Sequence, residues 1–268
     1  MREFRNRIGL VTGGASGIGR ACALAFAREG MHVAVADLNE ARARETATQV
    51  EALGVRALAI ACDVSQARDV ERARQAVLAA FGGLNLLMNN AGVLPVGSLE
   101  ATPIEEWERV LRINLLSTVR CTQAFLPDLV AAGEAHIVNT ASYAGLISYD
   151  PFSLAYSASK AAIVNFSEGI AVYLASRGIG VTCLCPGGVG TNIAEQIRLH
   201  GEMPATLGAF ATRTAATRTA QEVGEMVLSA VRQQRFMVVT DDRILEEFRT
   251  RAADMDAYLG RIAREVAP

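Results

Sequence analysis

The stretch IGLVTGGASGIG, Ile8 to Gly19, decides how the rest of the chain is read. Its first half is a continuous apolar run suited to a buried strand, and TGGASGIG (Thr12 to Gly19) leads from that run into a helical segment. At such a junction each glycine has a purpose. Gly13 would turn the chain sharply, Gly17 would let the backbone approach a pyrophosphate, and Gly19 would let the helix pack closely on the strand. Ser16 and Ile18 belong to the same loop, and the helix N-terminus offers unpaired N–H groups to phosphate oxygens. A glycine triplet alone is weak; its place between strand and helix points to a dinucleotide.

Working outward, six more apolar runs follow at intervals: HVAVAD (His32 to Asp37), RALAIACD (Arg56 to Asp63), LNLLMNN (Leu84 to Asn90), HIVNTAS (His136 to Ser142), GVTCLCP (Gly180 to Pro186) and FMVVTD (Phe236 to Asp241). They are continuous rather than alternating, as strands buried on both faces should be. Helix-length segments lie between them, one starting at a capping Asn39 and stopping at Gly54, another opening at Ser65 and closing at Gly82. Strand and helix in strict alternation predict an α/β, Rossmann-type, doubly wound parallel sheet of about seven strands with helices on both faces. No linker or low-complexity tract divides residues 1–268, so one domain is expected.

The composition is 51% hydrophobic with a formal net charge of −2, which gives no electrostatic bias towards nucleic acid or an anionic membrane. No apolar run approaches the length of a spanning helix, and the start does not read as a signal peptide, so a cytoplasmic protein is expected. The five cysteines (Cys22, Cys62, Cys121, Cys183, Cys185) lack metal-ligand spacing and the three histidines are scattered, which predicts buried free thiols and no metal.

Asp37 ends the second strand, 18 residues past Gly19, where a carboxylate can accept hydrogen bonds from both hydroxyls of an adenosine ribose, with Leu38 beside it. A 2′-phosphate there would meet a like charge. NAD(H) is therefore expected in preference to NADP(H).

LAYSASK (Leu154 to Lys160) carries a second signal: the chain has 25 Arg and one Lys, and that Lys stands four positions after Tyr156. Residues four apart share a helix face. An ammonium about 4 Å from a phenol, at an effective dielectric of about 20, is worth about 4 kcal/mol, enough to bring a phenol from pH 10 to near neutrality. A compact ammonium can also grip ribose hydroxyls in a way guanidinium cannot. Tyr156 and Lys160 are thus read as an acid/base pair.

Together with NNAG (Asn89 to Gly92) and PGGVGTN (Pro186 to Asn192), these motifs resemble the short-chain dehydrogenases/reductases over nearly the whole chain. The resemblance implies Tyr156 as general acid/base and Lys160 as its ribose-binding partner. It implies Ser142 as the serine that bonds the substrate oxygen and Asn114 as the asparagine that holds a water in the proton relay. Asp63 and Val64 would cradle adenine, and Asn90, followed by Ala91 and Gly92, would lie below the ribose. Pro186, Gly187 and Val189 would also bind the cofactor, with Thr191 on the nicotinamide carboxamide. From Ser142 to Tyr156 is 14 positions, one more than the family's usual spacing, so Ser153 stands as a rival for the serine's role.

The reaction so implied is hydride transfer between the nicotinamide and a secondary alcohol or ketone, small-molecule substrates of medium size and hydrophobic or aryl character. The alternative is a non-catalytic NAD-sensing protein on the same fold. The walls of the substrate pocket are expected from Leu94, Val96, Tyr143, Leu146, Tyr149 and Phe152, and from a flap at about 191–219 carrying Ile193, Ile197, Met203, Leu207 and Phe210. Leu245, Phe248, Ala252, Met255, Leu259, Ile262 and Val266 fall at steps of three and four, which predicts one helix over about 244–266, packed on its own domain or on a neighbouring subunit. The family resemblance implies a homodimer or homotetramer.

Overall fold

The computed structural model describes residues 1–147, 150–191, 197–202 and 217–266. In chain order β1 (Ile8–Thr12), α1 (Gly17–Arg28), β2 (His32–Asp37), α2 (Glu40–Glu51), β3 (Ala57–Ala61) and α3 (Ala67–Phe81) come first. Next are β4 (Leu86–Asn89), β5 (Pro95–Gly97), α4 (Ile104–Val110), α5 (Ser117–Ala131), β6 (Ala135–Thr140), α6 (Leu154–Leu174) and β7 (Ile179–Cys185). The chain continues through β8 (Val189–Gly190), β9 (Arg198–His200), β10 (Arg218–Thr219), α7 (Ala220–Gln233) and β11 (Met237–Val239) to α8 (Asp242–Ala253) and α9 (Met255–Val266).

All seven anticipated strands join one parallel sheet in the order β11-β7-β6-β4-β1-β2-β3. Two core layers cover it. On one face Cys22 and Phe26 of α1, Ala43 and Val50 of α2 and Val227 and Val231 of α7 pack on Val11, Val33 and Val35. On the other, Val70 and Val77 of α3, Phe125 and Leu129 of α5 and Leu174 of α6 pack on Leu10, Leu87 and Ile137. Helix ends follow local chemistry: the Asn39 side chain accepts from Arg42 N at 3.1 Å to start α2, Thr219 and Glu222 form a reciprocal box at the start of α7, and α3 stops at Gly82 with φ +85°. The five cysteines are buried free thiols.

The strand order reverses between β1 and β4, and the register Val11↔Met88 brings the loops after these two strands side by side. Such a switch point leaves a crevice at the carboxyl ends of the strands.

The C-terminal segment differs from the single helix expected. Asp254 adopts an extended conformation (φ −153°, ψ 97°) and its carboxylate accepts from Ala257 N at 2.9 Å, so it ends α8 and caps α9. The inner face matches the anticipated stripe only in part, through Ile262 and the partly buried Phe248. Ile244, Tyr258 and Ile262 are buried with Ala141, Leu146 and Ile163 of the same chain, whereas Met255 and Leu259 are exposed. Among the described residues no helix is long and apolar enough to cross a membrane.

Candidate active site

The loop after β1 is built from backbone conformations that side chains resist. Gly13 (φ +62°) and Gly17 (φ +52°) lie in the left-handed region, and a Cβ on Gly13 would stand 2.9 Å from Ala91 Cα. A Cβ on Gly19 would collide with the carbonyl of Gly13. Ser16 is the extended residue that starts α1. Across the loop, Thr191 Cβ lies 3.1 Å from the position of a Cβ on Gly17.

Asp37 faces this loop: its carboxylate accepts from Ala15 N at 3.1 Å and from Asn39 N at 2.9 Å, while Leu38 next to it is exposed. Asp63 caps its own turn by accepting from Ser65 N, and Val64 is buried, its carbonyl taken by Arg120. Asn90 stitches the crevice together. Its amide donates to the carbonyls of Thr12 and Gly13 (3.3 and 3.1 Å) and its oxygen accepts from Thr140 Oγ1 at 3.2 Å. On the β7 side, Pro186 O accepts from Tyr143 N and Gly187 N donates to Thr240 Oγ1, both at 2.9 Å, and Val189 pairs with Arg218. The narrow backbone cradle, the helix end behind it and the carboxylate at the end of β2 fit a dinucleotide in pyrophosphate and ribose.

Tyr156 and Lys160 lie one turn apart on α6, as their spacing required. Lys160 is 3% exposed and its Nζ donates to Thr140 O at 2.8 Å, 5.6 Å from the centre of the Tyr156 ring. The Ser142 hydroxyl lies close enough to the Tyr156 phenol to lower it, and Ser142 Oγ accepts from Ala144 N at 3.2 Å. Ser153 is committed elsewhere, donating to Asp150 Oδ2 at 2.6 Å.

The chain's own groups do not lower the phenol. Burial pushes the Tyr156 hydroxyl above its ordinary value and the Ser142 hydroxyl only partly offsets this, while burial brings the Lys160 ammonium down to about 8. Two groups enclosed together are each driven towards their neutral forms. At 5.6 Å from the ring and bonded to a carbonyl, Lys160 does not overcome that.

Asn114 lies within a π-helical stretch, Leu111–Leu116, that joins α4 to α5. Wide turns of this kind cluster at functional sites. Its amide makes three hydrogen bonds: Oδ1 accepts from Val93 N (2.8 Å), and Nδ2 donates to Val93 O (3.1 Å) and Ser159 Oγ (2.9 Å). Ser159 in turn donates to Tyr156 O at 2.7 Å. Sequence reading missed Ser159 and Thr140, although Ser159 stands inside the motif itself. Asn114 Oδ1 and Lys160 Nζ also crowd Gly92, at 3.3 and 3.4 Å from the position of a Cβ there.

Among the expected pocket walls, Leu146 is instead buried in the core with Ile163 and Tyr258. Tyr149, Ile193, Met203, Leu207 and Phe210 lie outside the described residues. Of the flap, Arg198–His200 forms β9 beside β5, and Arg218–Thr219 forms β10 beside β8. Among the described residues no three His, Cys, Asp or Glu side chains come together as a metal site.

The chain belongs to the short-chain dehydrogenase family, whose model matches residues 7–201. It is 40% identical over 198 residues to the probable oxidoreductase EphD of Mycobacterium tuberculosis (strain ATCC 25618 / H37Rv), covering 74% of this chain and 33% of that protein, so it spans about a third of that relative. It is 36% identical over 205 residues to cyclohexanol dehydrogenase of Acinetobacter sp. (strain SE19), covering 74% of this chain and 81% of that one. Among solved structures, a short-chain dehydrogenase/reductase from Burkholderia phymatum in complex with NAD superposes with a TM-score of 0.88 at 32% identity, over 96% of each chain.

Proposed function

We propose that the protein is an NAD(H)-dependent oxidoreductase that interconverts a secondary alcohol and a ketone of medium size and hydrophobic or aryl character. The observation that carries this reading is the group of buried Ser142, half-buried Tyr156 and buried Lys160 beside the glycine cradle. The likeness to a protein named cyclohexanol dehydrogenase supports the substrate class, and the likeness to a structure holding NAD supports the cofactor.

Gly13, Gly17 and Gly19 would hold the pyrophosphate, Asp37 the adenosine ribose, Asn90 and Lys160 the second ribose, and Thr191 the carboxamide. When bound, the nicotinamide supplies the carbon that accepts or gives hydride. Tyr156 exchanges the proton on the substrate oxygen and Ser142 donates a hydrogen bond to that oxygen. A phenol that burial keeps protonated is suited to giving its proton to a ketone; taking one from an alcohol calls for alkaline pH. Lys160 relays the proton outward. Asn114 would hold a water on its main-chain carbonyl, which already accepts from Thr118 Oγ1 at 3.0 Å, or on its amide oxygen, which accepts from Val93 N. Asp37, already fixed by two backbone N–H groups, would repel a 2′-phosphate, which supports NAD(H) over NADP(H).

The test is turnover of cyclohexanol and a wider panel of secondary alcohols with NAD+ and NADP+, using wild type and Tyr156→Phe. The expected result is turnover with NAD+ and a loss of about 10²–10⁴-fold in kcat for the Phe variant, which still binds cofactor. Cofactor binding with no turnover of any alcohol or ketone would favour a sensing protein, and a Phe variant as active as wild type would remove Tyr156 from the mechanism.

A further inference from the structure

Three residues after the NNAG motif the chain forms β5, and β5 is tied into the candidate site at both ends. Val93, just before it, has its N–H and its C=O held by Asn114, and Gly97 at its end donates to Phe152 O at 2.7 Å, four residues before Tyr156. Onto this short strand docks β9, in parallel register Pro95↔Arg198, Val96↔Leu199, Gly97↔His200. The fit is tight: a Cβ on Gly97 would stand 2.6 Å from His200 O, and one on Gly201, whose φ is +78°, would stand 2.6 Å from Ala101 Cβ. Arg198 is only seven positions after Thr191, which lies against the loop at Gly17.

A pair of three-residue strands has too few backbone bonds to hold itself together in water. The side chain that supplies the rest is Glu106, in the first turn of α4, whose side chain is 6% exposed. Arg109 grips its carboxylate with two hydrogen bonds, 2.8 and 2.5 Å, and holds it below the usual carboxylate range, so that it stays charged although buried. The same carboxylate receives two groups from β9: Arg198 at 3.6 Å and His200 Nε2 at 3.8 Å. Among the described residues His200 Nε2 is buried without a hydrogen-bond partner, and the Glu106 carboxylate is the charged group beside it. Exposed ion pairs contribute little, but a buried carboxylate shared by two elements fixes where they sit.

We infer that Glu106 is a positioning residue that seats β9 on β5 and thereby sets the substrate side of the active site, without touching substrate, cofactor or reacting atoms. Its effect on substrate rests on the function proposed above; its effect on β9 does not. The only tryptophan, Trp107, is the neighbour of Glu106 and lines a small cavity with Pro95, Gly97, Thr102 and Phe152, so its fluorescence reads the state of β5 directly.

The experiment compares wild type with Glu106→Gln, Glu106→Asp, the pair Arg198→Gln/His200→Gln, and Glu106→Gln combined with that pair. Far-UV circular dichroism serves as the check on folding. In folded Glu106→Gln, Trp107 emission should move to longer wavelength with greater acrylamide quenching. KM for the alcohol should rise about tenfold, with kcat and the Kd for NAD within about twofold, a pattern of lost uniform binding. Glu106→Asp should recover part of both changes, and the combined variant should be no worse than Glu106→Gln alone, because the partners act through one contact. A folded Glu106→Gln with wild-type Trp107 emission and KM would overturn the inference, as would equal losses in kcat and in NAD affinity. If no alcohol is turned over even by wild type, the proposed function fails; the Trp107 response then upholds or sinks the seating role by itself.

Discussion

Lys160 shows how a residue can serve function at the expense of the fold. Its ammonium is buried, donates to Thr140 O, and has been brought from 10.5 down to about 8. Below pH 8 both folded and unfolded chains carry the proton, and the folded chain bears the full cost of enclosing it. Between about 8 and 10.5 the unfolded chain binds more protons, so stability contributed at this position rises with pH. Replacing Lys160 with Met should abolish turnover and yet make the protein more stable at pH 7 by about 2 kcal/mol, once the lost bond to Thr140 is allowed for. Urea unfolding of the two proteins should show the gap closing as pH rises from 8 to above 10. A Met variant less stable than wild type at pH 7 would mean that burial of the charge carries no such cost. The sequence signalled this residue by composition alone, one Lys among 25 Arg. It could not signal the direction of the Tyr156 shift, because spacing along a helix says nothing about how deeply two side chains are enclosed.

Elements with strong local signals were legible and those made by tertiary contact were not. The seven sheet strands read as apolar runs, and Asn39 and Gly82 marked helix ends through their own chemistry. The π-helical stretch around Asn114 has no composition of its own; it exists because that amide is drawn to Val93 and Ser159, far apart in sequence. The pairing of β5 with β9 is likewise invisible along the chain. At the C-terminus the heptad-like spacing of apolar residues ran straight through Asp254, whose capping side chain breaks the helix. Asp254→Ala should cost about 1 kcal/mol locally. Hydrogen exchange should find the Ala257 and Tyr258 amides opening about fivefold faster, with the strands unchanged. Protection equal to wild type would show that packing of Tyr258 and Ile262 holds α9 without its cap.

At the scale of the whole molecule, a doubly wound parallel sheet followed from alternation of strand and helix, whereas the order of its strands came only with the structure; the crevice where that order reverses, between β1 and β4, is where the glycine loop and Asn90 meet. The motifs were legible because cofactor chemistry restricts which residues can stand there. Substrate chemistry imposes no comparable pattern on the pocket walls, and Leu146, apolar and nearby, went to the core instead. The burial of the sole lysine also turns the protein into its own stopwatch. A protease that cuts only after lysine has one target, the bond after Lys160, whose side chain is buried on α6, and cleaving it yields fragments 1–160 and 161–268. The bond is reached only when α6 opens, so the rate at which one band becomes two measures that opening. NAD at about 100 times its Kd should slow the cut about 100-fold. Cleavage at a rate indifferent to NAD would mean that α6 opens without disturbing the cofactor's seat.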